Sequence, residues 1–415
     1  MGICVVRQPV FTKGMNIYGY DIIFHVFHDD FQEEETGVAT SNKHYPRTII
    51  NGFHDLGIAR VTNNKRGFVR FTEKLLLDMA ATILPFHILV IELPKTIPLT
   101  AEVVAACRRL QKQGYLIALD GFSPLEDDLT PLLDTADIIK IEFDRENQGK
   151  IREFILELQK SHPNKQLLAK KLESPSEFEL AKKCAFTLFQ GNFFRKPSAV
   201  KTKPLLPMPR RYQTLQLIRI SLGNDLDYRA VSDIIKQDVA LSYRLLRVVN
   251  SAFFGLRYTV SNIRQALTIL GTREFKKWIM LVSLSGLSDN KPTELIMLSL
   301  IRARFLELIA PAAGMADKSE DLFLMGLMSL MDAVMDTPMT EIVMQTNISP
   351  HIAAPLLARE GEFGNLLNLI SCYEQGGWDQ ARSIAARYAV SLERVFGIYM
   401  KAVEWAQQLY AGPVH

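Results

Sequence analysis

Glu92, Asp120, Lys140 and Lys170 stand at or beside the ends of four short apolar runs, ILVIE, LIALD, IIKIE and LLAKK. Four or five Val, Ile, Leu and Ala residues without polar alternation suit a parallel strand buried on both faces. Charges at the C-terminal ends of such strands are where β/α barrels gather their chemistry. Carboxylates alone at such a mouth could hold divalent cations and activate water. Here two of the four charges are ammonium groups, so the expected chemistry is mixed. The literal His-Asp dipeptides, His28-Asp29 and His54-Asp55, lack a second His-Asp pair at helical spacing and read as solvated loops.

The elements that must position these charges follow from pattern. Strands are expected at 3–11, 18–28, 67–71, 88–92, 115–120, 137–142, 166–170 and 185–189, the first two as a hairpin turning at Lys13-Gly14. Between them lie helices, the clearest starting at Ser174-Pro175-Ser176-Glu177, a capping box with Pro in the first helical position. Strands and helices in this rhythm argue for a β/α barrel over residues 1–198. A Pro-rich linker, 199–209, follows. Residues 210–415 read as all-α: Ile263, Ala266, Leu267 and Leu270 fall on one helical face, which Gly271 terminates.

The chain has 415 residues, enough for two cores of roughly 200 residues each. With 48% apolar residues, 22% charged and a net charge of +3, it is neither disordered nor strongly basic, so charge alone implies no nucleic acid. Lys201, Lys203, Arg210, Arg211, Arg273, Lys276 and Lys277 read as a solvated linker and helix face. Cys4, Cys107, Cys184 and Cys372 have no CxxC spacing and suit reduced core thiols. No apolar run is long enough for a membrane span and no secretory signal is evident, so a cytoplasmic protein is expected.

Six segments of the first half, in order, resemble an EAL domain, the barrel that hydrolyses cyclic di-GMP. They are Tyr20-Asp21-Ile22-Ile23-Phe24-His25, Ile91-Glu92-Leu93-Pro94, Leu119-Asp120-Gly121-Phe122, Ile139-Lys140-Ile141-Glu142, Ala169 to Ser174, and Gln190-Gly191 to Pro197. The second half is similar to an HDOD domain, a helical relative of the HD hydrolases. That resemblance rests on Asp238 to Leu246, Val249 to Gly255 and Ile263 to Gly271. Tyr373-Glu374 to Trp378 and Trp405-Ala406 look like the tail found when the two domains are fused.

The resemblance implies a metal-dependent site of six acids and one base. Its positions here are Asp21, Arg70, Glu92, Asp120, Gly121, Lys140, Lys170 and Glu173, four acids and three bases. Gly121 deletes one ligand, and Lys170 replaces the Glu credited with deprotonating water. At an effective dielectric near 20, two unit charges about 4 Å apart interact by roughly 4 kcal/mol, so each added cation opposes a divalent ion strongly. No metal is therefore expected; Mg²⁺ or Mn²⁺ would be needed only if hydrolysis survives. His25, Arg70, Lys140, Lys170 and Gln190 are the candidates for contacting a nucleotide.

In the helical half Ser329-Leu330 replaces the His-Asp pair of the HD hydrolases, and His351 follows Ser349-Pro350 at an expected helix start. Asn250, Ser251, Phe253 and Phe254 either close a helix or line a groove for a partner. The expectation is a homodimeric signalling scaffold with a degenerate phosphodiesterase barrel and a protein partner of unknown identity. The alternatives are a weak cyclic di-GMP phosphodiesterase and a receptor that binds cyclic di-GMP without turnover.

Overall fold

The computed structural model describes residues 2–27, 57–98, 100–122, 133–197, 291–346 and 348–411, with scattered positions between 235 and 279. The linker 199–209, both His-Asp dipeptides, and Asn250, Ser251, Phe253 and Phe254 lie outside the described residues. The chain divides into two units. One comprises Met1–Lys196, Pro311–Ala316 and Asn368–Glu404; the other comprises Pro197–Ala310, Asp317–Leu367 and Trp405–His415.

The first unit is a closed eight-stranded barrel in sequential order: β1 (Gly2–Thr12), β2 (Ile17–Phe27), β3 (Arg66–Arg70), β4 (Leu89–Pro94), β5 (Leu116–Phe122), β6 (Ile138–Glu142), β7 (Gln166–Leu172) and β8 (Leu188–Gly191). β1 runs antiparallel to both its neighbours, and every other neighbouring pair is parallel. The predicted hairpin and all eight strands are present. The last one begins at Leu188 rather than 185, because Ala185, at φ 67°, is still turning out of the helix Pro175–Lys183.

That helix starts as its sequence requires. Ser174 accepts a hydrogen bond from the Glu177 N–H at 3.3 Å, while the Glu177 carboxylate reaches back to the Glu173 N–H, one residue before the cap. The barrel interior is filled by Val10, Phe68, Val90, Ala118, Ile138, Leu168 and Leu188 in one apolar cluster. Those inward positions leave the adjacent, oppositely pointing residues to pack under the surrounding helices.

In the second unit the helices Thr293–Ile309 and Ser319–Met328 pack closely at Gly326, where a Cβ would lie 2.6 Å from the Arg302 carbonyl. Among the described residues no helix is long and apolar enough to cross a membrane.

The closest backbone approach in the barrel is at Gly191, φ 151°, where a Cβ would stand 2.1 Å from the Leu172 carbonyl oxygen. Gly191→Ala must therefore push β7 and β8 apart. A loss of about 2–4 kcal/mol is expected in chemical denaturation, and an unchanged midpoint would contradict this packing.

Candidate functional site

Two residues further along β3 to β8 from the apolar cluster, the same inward alternation brings Arg70, Glu92, Asp120, Lys140, Lys170 and Gln190 to the barrel mouth. β1 runs the other way, so its contribution is Gln8, two residues before Val10; Gln8 pairs with Asp21 of β2. One polar side chain from each strand thus caps an apolar interior. Seven of these eight are site residues expected from the sequence, Gln190 as a candidate nucleotide contact, and Gln8 was missed.

Two irregularities aim this layer. The β5–β6 register shifts between Leu119 and Phe122, and the β7–β8 register between Ala169 and Leu172. Gly121 (φ 74°) and Lys171 (φ 60°) are the left-handed residues in these bulges. A bulge re-aims the side chain beside it, and Asp120 and Lys170 meet across the mouth in an ion pair.

The charges close on one another. Lys140, fully buried, donates from Nζ to Asp21 Oδ2 at 2.7 Å and to Glu92 Oε2, over the Phe68 ring. Arg70 Nη2 lies 2.8 Å from Asp120 Oδ2 and 3.4 Å from Glu92 Oε1. Lys170 holds Asp120 Oδ1. Gln190 Nε2 donates to Asp21 Oδ2 at 2.9 Å and to Gln8 Oε1 at 3.2 Å. Both oxygens of Glu92 and both of Asp120 are therefore taken by side-chain cations.

The remaining predicted positions fall elsewhere. Glu173 is exposed, accepting from Asn192 and facing Lys196 at 3.6 Å. Glu142 is likewise exposed and pairs with Lys171. His25 lies on β2 opposite Cys4, beyond the polar layer. In the helical unit Ser329 caps its helix and accepts from Arg302 at 3.2 Å, while exposed His351 sits 3.0 Å from Asp321 in the first turn of the helix Pro350–Ala358.

Electrostatics follow from burial and from these pairs. Burial, with Asp21 and Asp120 nearby, pushes the Glu92 carboxyl up to about 7 despite Lys140 and Arg70. Burial also opposes ionisation of Asp120, but Lys140, Lys170 and Arg70 outweigh it and hold that carboxyl well below the usual range. Burial would lower Lys140, yet Asp21, Glu92 and Asp120 keep it firmly protonated. With Glu92 ionised, three carboxylates face three cations. This donor set does not fit a divalent ion: both oxygens of Glu92 and both of Asp120 are already engaged by cations, and Gly121 offers none. Among the described residues no group of three or more His, Cys, Asp and Glu is placed to hold a metal.

A family model described as the HDOD domain matches residues 206–344. Over 407 residues, 98% of this chain and 92% of the relative, the chain is 31% identical to the cyclic di-GMP phosphodiesterase CdgJ of Vibrio cholerae serotype O1. It is 29% identical over 418 residues to the uncharacterized protein YuxH of Bacillus subtilis strain 168, covering 99% of each. Among solved structures it is similar to the Bacillus subtilis YkuI protein, with an EAL domain, in complex with substrate c-di-GMP and calcium: 15% identity, TM-score 0.38, covering 58% of this chain and 72% of that one.

The raised Glu92 carboxyl sets a sign. Between about pH 4.5 and 7 the folded chain keeps a proton that the unfolded chain releases, so this group's contribution falls as pH rises through that window. Asp120 acts oppositely, its contribution being present above its unfolded value and lost in acid. Unfolding followed from pH 5 to 8 should show the wild type losing on the order of 3 kcal/mol relative to Glu92→Gln. Parallel pH profiles would refute the assignment.

Proposed function

The chain belongs to the family of cyclic di-GMP phosphodiesterase-like proteins that join an EAL barrel to an HDOD domain, and from that premise we propose a regulator that works by association rather than hydrolysis. The observation that carries this reading is the capture of both oxygens of Glu92 and of Asp120 by Arg70, Lys140 and Lys170. Crowded carboxylates invite a divalent ion because it relieves their repulsion; here three cations built into the strands relieve it first.

Loss of the general base points the same way. Lys170 occupies the position that the resemblance gives to the water-deprotonating Glu, and its ammonium is bonded to Asp120. A protonated ammonium cannot accept a proton from water. In the helical unit Ser329, where the HD hydrolases carry His, serves its own helix end and Arg302. On this reading the protein is cytoplasmic, homodimeric and metal-free, and transmits a state to a protein partner through the helical half, with no role for nucleic acid.

A second reading is phosphodiesterase activity, favoured by the name of the Vibrio cholerae relative and by the retention of Glu92, Asp120 and Lys140. A third is a cyclic di-GMP receptor in which Arg70, Lys170 and Gln190 meet the phosphates and bases directly. Calorimetric titration with cyclic di-GMP, with and without Mn²⁺, alongside measurement of the linear dinucleotide product, separates them. The scaffold predicts neither heat nor product, the receptor heat alone, the enzyme both.

The charge argument has its own test. Arg70→Asn, Gly121→Asp and Lys170→Glu together should confer measurable Mn²⁺ binding, while each alone should not. Asp at position 121 must adopt the left-handed backbone, at a cost of about 1 kcal/mol. A triple variant that remains blind to Mn²⁺ would mean that side-chain cations are not what excludes the ion.

A further inference from the structure

Beyond the polar layer the barrel is uneven. β1 and β2 continue as a two-stranded ribbon from Val6↔Ile23 to Gly2↔Phe27, whereas β1 pairs with β8 only from Val10 to Thr12, and β2 with β3 only as far as Ile22. A ribbon of this kind exposes unpaired backbone along its edges, and such edges need cover. Yet Cys4, Val5 and Val6 are completely buried or nearly so.

The cover comes from the far end of the chain. The Tyr373 hydroxyl donates to the Val5 carbonyl at 3.2 Å, and Cys4 Sγ donates to the Leu392 carbonyl at 3.5 Å. Tyr373 is fully buried and packs edge-on against Trp378 and beside Tyr399. One residue on, buried Glu374 accepts from the largely covered Arg195 Nη1 at 3.0 Å in an ion pair. Arg195 lies in the short turn Phe193–Arg195 directly after β8. The flanking residues Asn192 and Lys196 contact Glu173, and Gln190, at the end of the same strand, is hydrogen-bonded into the polar layer.

We propose that Tyr373 and Glu374 form a latch on the barrel mouth, joining the β1 extension to the turn after β8, so that releasing Glu374 from Arg195 loosens both together. Breaking an ion pair this far from solvent is costly, which makes the contact sensitive to small displacements. The latch sits at the end of the helix Gly361–Glu374, whose earlier residues, through Leu367, belong to the other unit. This holds whether the mouth binds, hydrolyses or does neither.

Hydrogen exchange on the full chain, read by mass spectrometry, tests it. Glu374→Gln should accelerate exchange roughly tenfold or more in peptides spanning 2–8 and 188–196 as well as 368–374, with β4 to β6 still protected. The paired apolar replacement Arg195→Met/Glu374→Leu should restore protection, because both members of the ion pair are replaced together. Tyr373→Phe, a milder change, should loosen 2–8 preferentially. Acceleration confined to 368–374 would overturn the proposal, as would a double variant no more protected than Glu374→Gln.

Discussion

Everything at the barrel mouth depends on one buried ammonium. Lys140 has no solvent contact and holds Asp21 and Glu92 at once. Without it, two carboxylates would share a low-dielectric site with no counterion nearer than Arg70. Removing one member of such a cluster is commonly worth several kcal/mol, even where the whole cluster contributes little net stability compared with an apolar core. Its value to this fold is specificity. In the pairing seen, both oxygens of Glu92 and both of Asp120 go to protein cations.

The apolar layer beneath explains why this scheme is so closed. Phe68, Val90, Ala118, Ile138, Leu168 and Leu188 exclude water from below, so the charged side chains can satisfy themselves only sideways or through the open rim. Arg70 is the most exposed of the six charged groups, and it bridges Glu92 and Asp120. Gradation from a fully buried lysine to a partly exposed arginine follows from guanidinium chemistry, since its planar fork can reach two acceptors while its stem remains in contact with the wall.

Continuous apolar runs made the parallel strands legible in the sequence, and charged residues closing them made the mouth legible too. What stayed hidden depends on register. Continuing the Phe11↔Ile17 pairing next to the turn would set Gln8 against Tyr20; the irregularity between Val10 and Phe11 shifts the pairing by one residue and brings Gln8 opposite Asp21. Glu173 likewise lies outside the site to which its motif position assigns it, beside Asn192 and Lys196. No periodicity announces an inserted residue. Nor does an amphipathic pattern reveal its partner: the helices within Asn368–Glu404 show an apolar face, but only tertiary contacts show that the barrel buries it.

That last grouping bears on how the molecule is made. Cys4 and Leu392, bonded in the barrel unit, are separated by 388 positions in the chain. On the ribosome Cys4 of β1 emerges 388 residues ahead of Leu392, and the strand's edge stays uncovered in the meantime. Contacts this remote in sequence form slowly and leave strand edges open to aggregation meanwhile. A truncated translation product would therefore present a sticky, half-finished sheet, giving the cell's quality control a clear means of telling it from the completed protein.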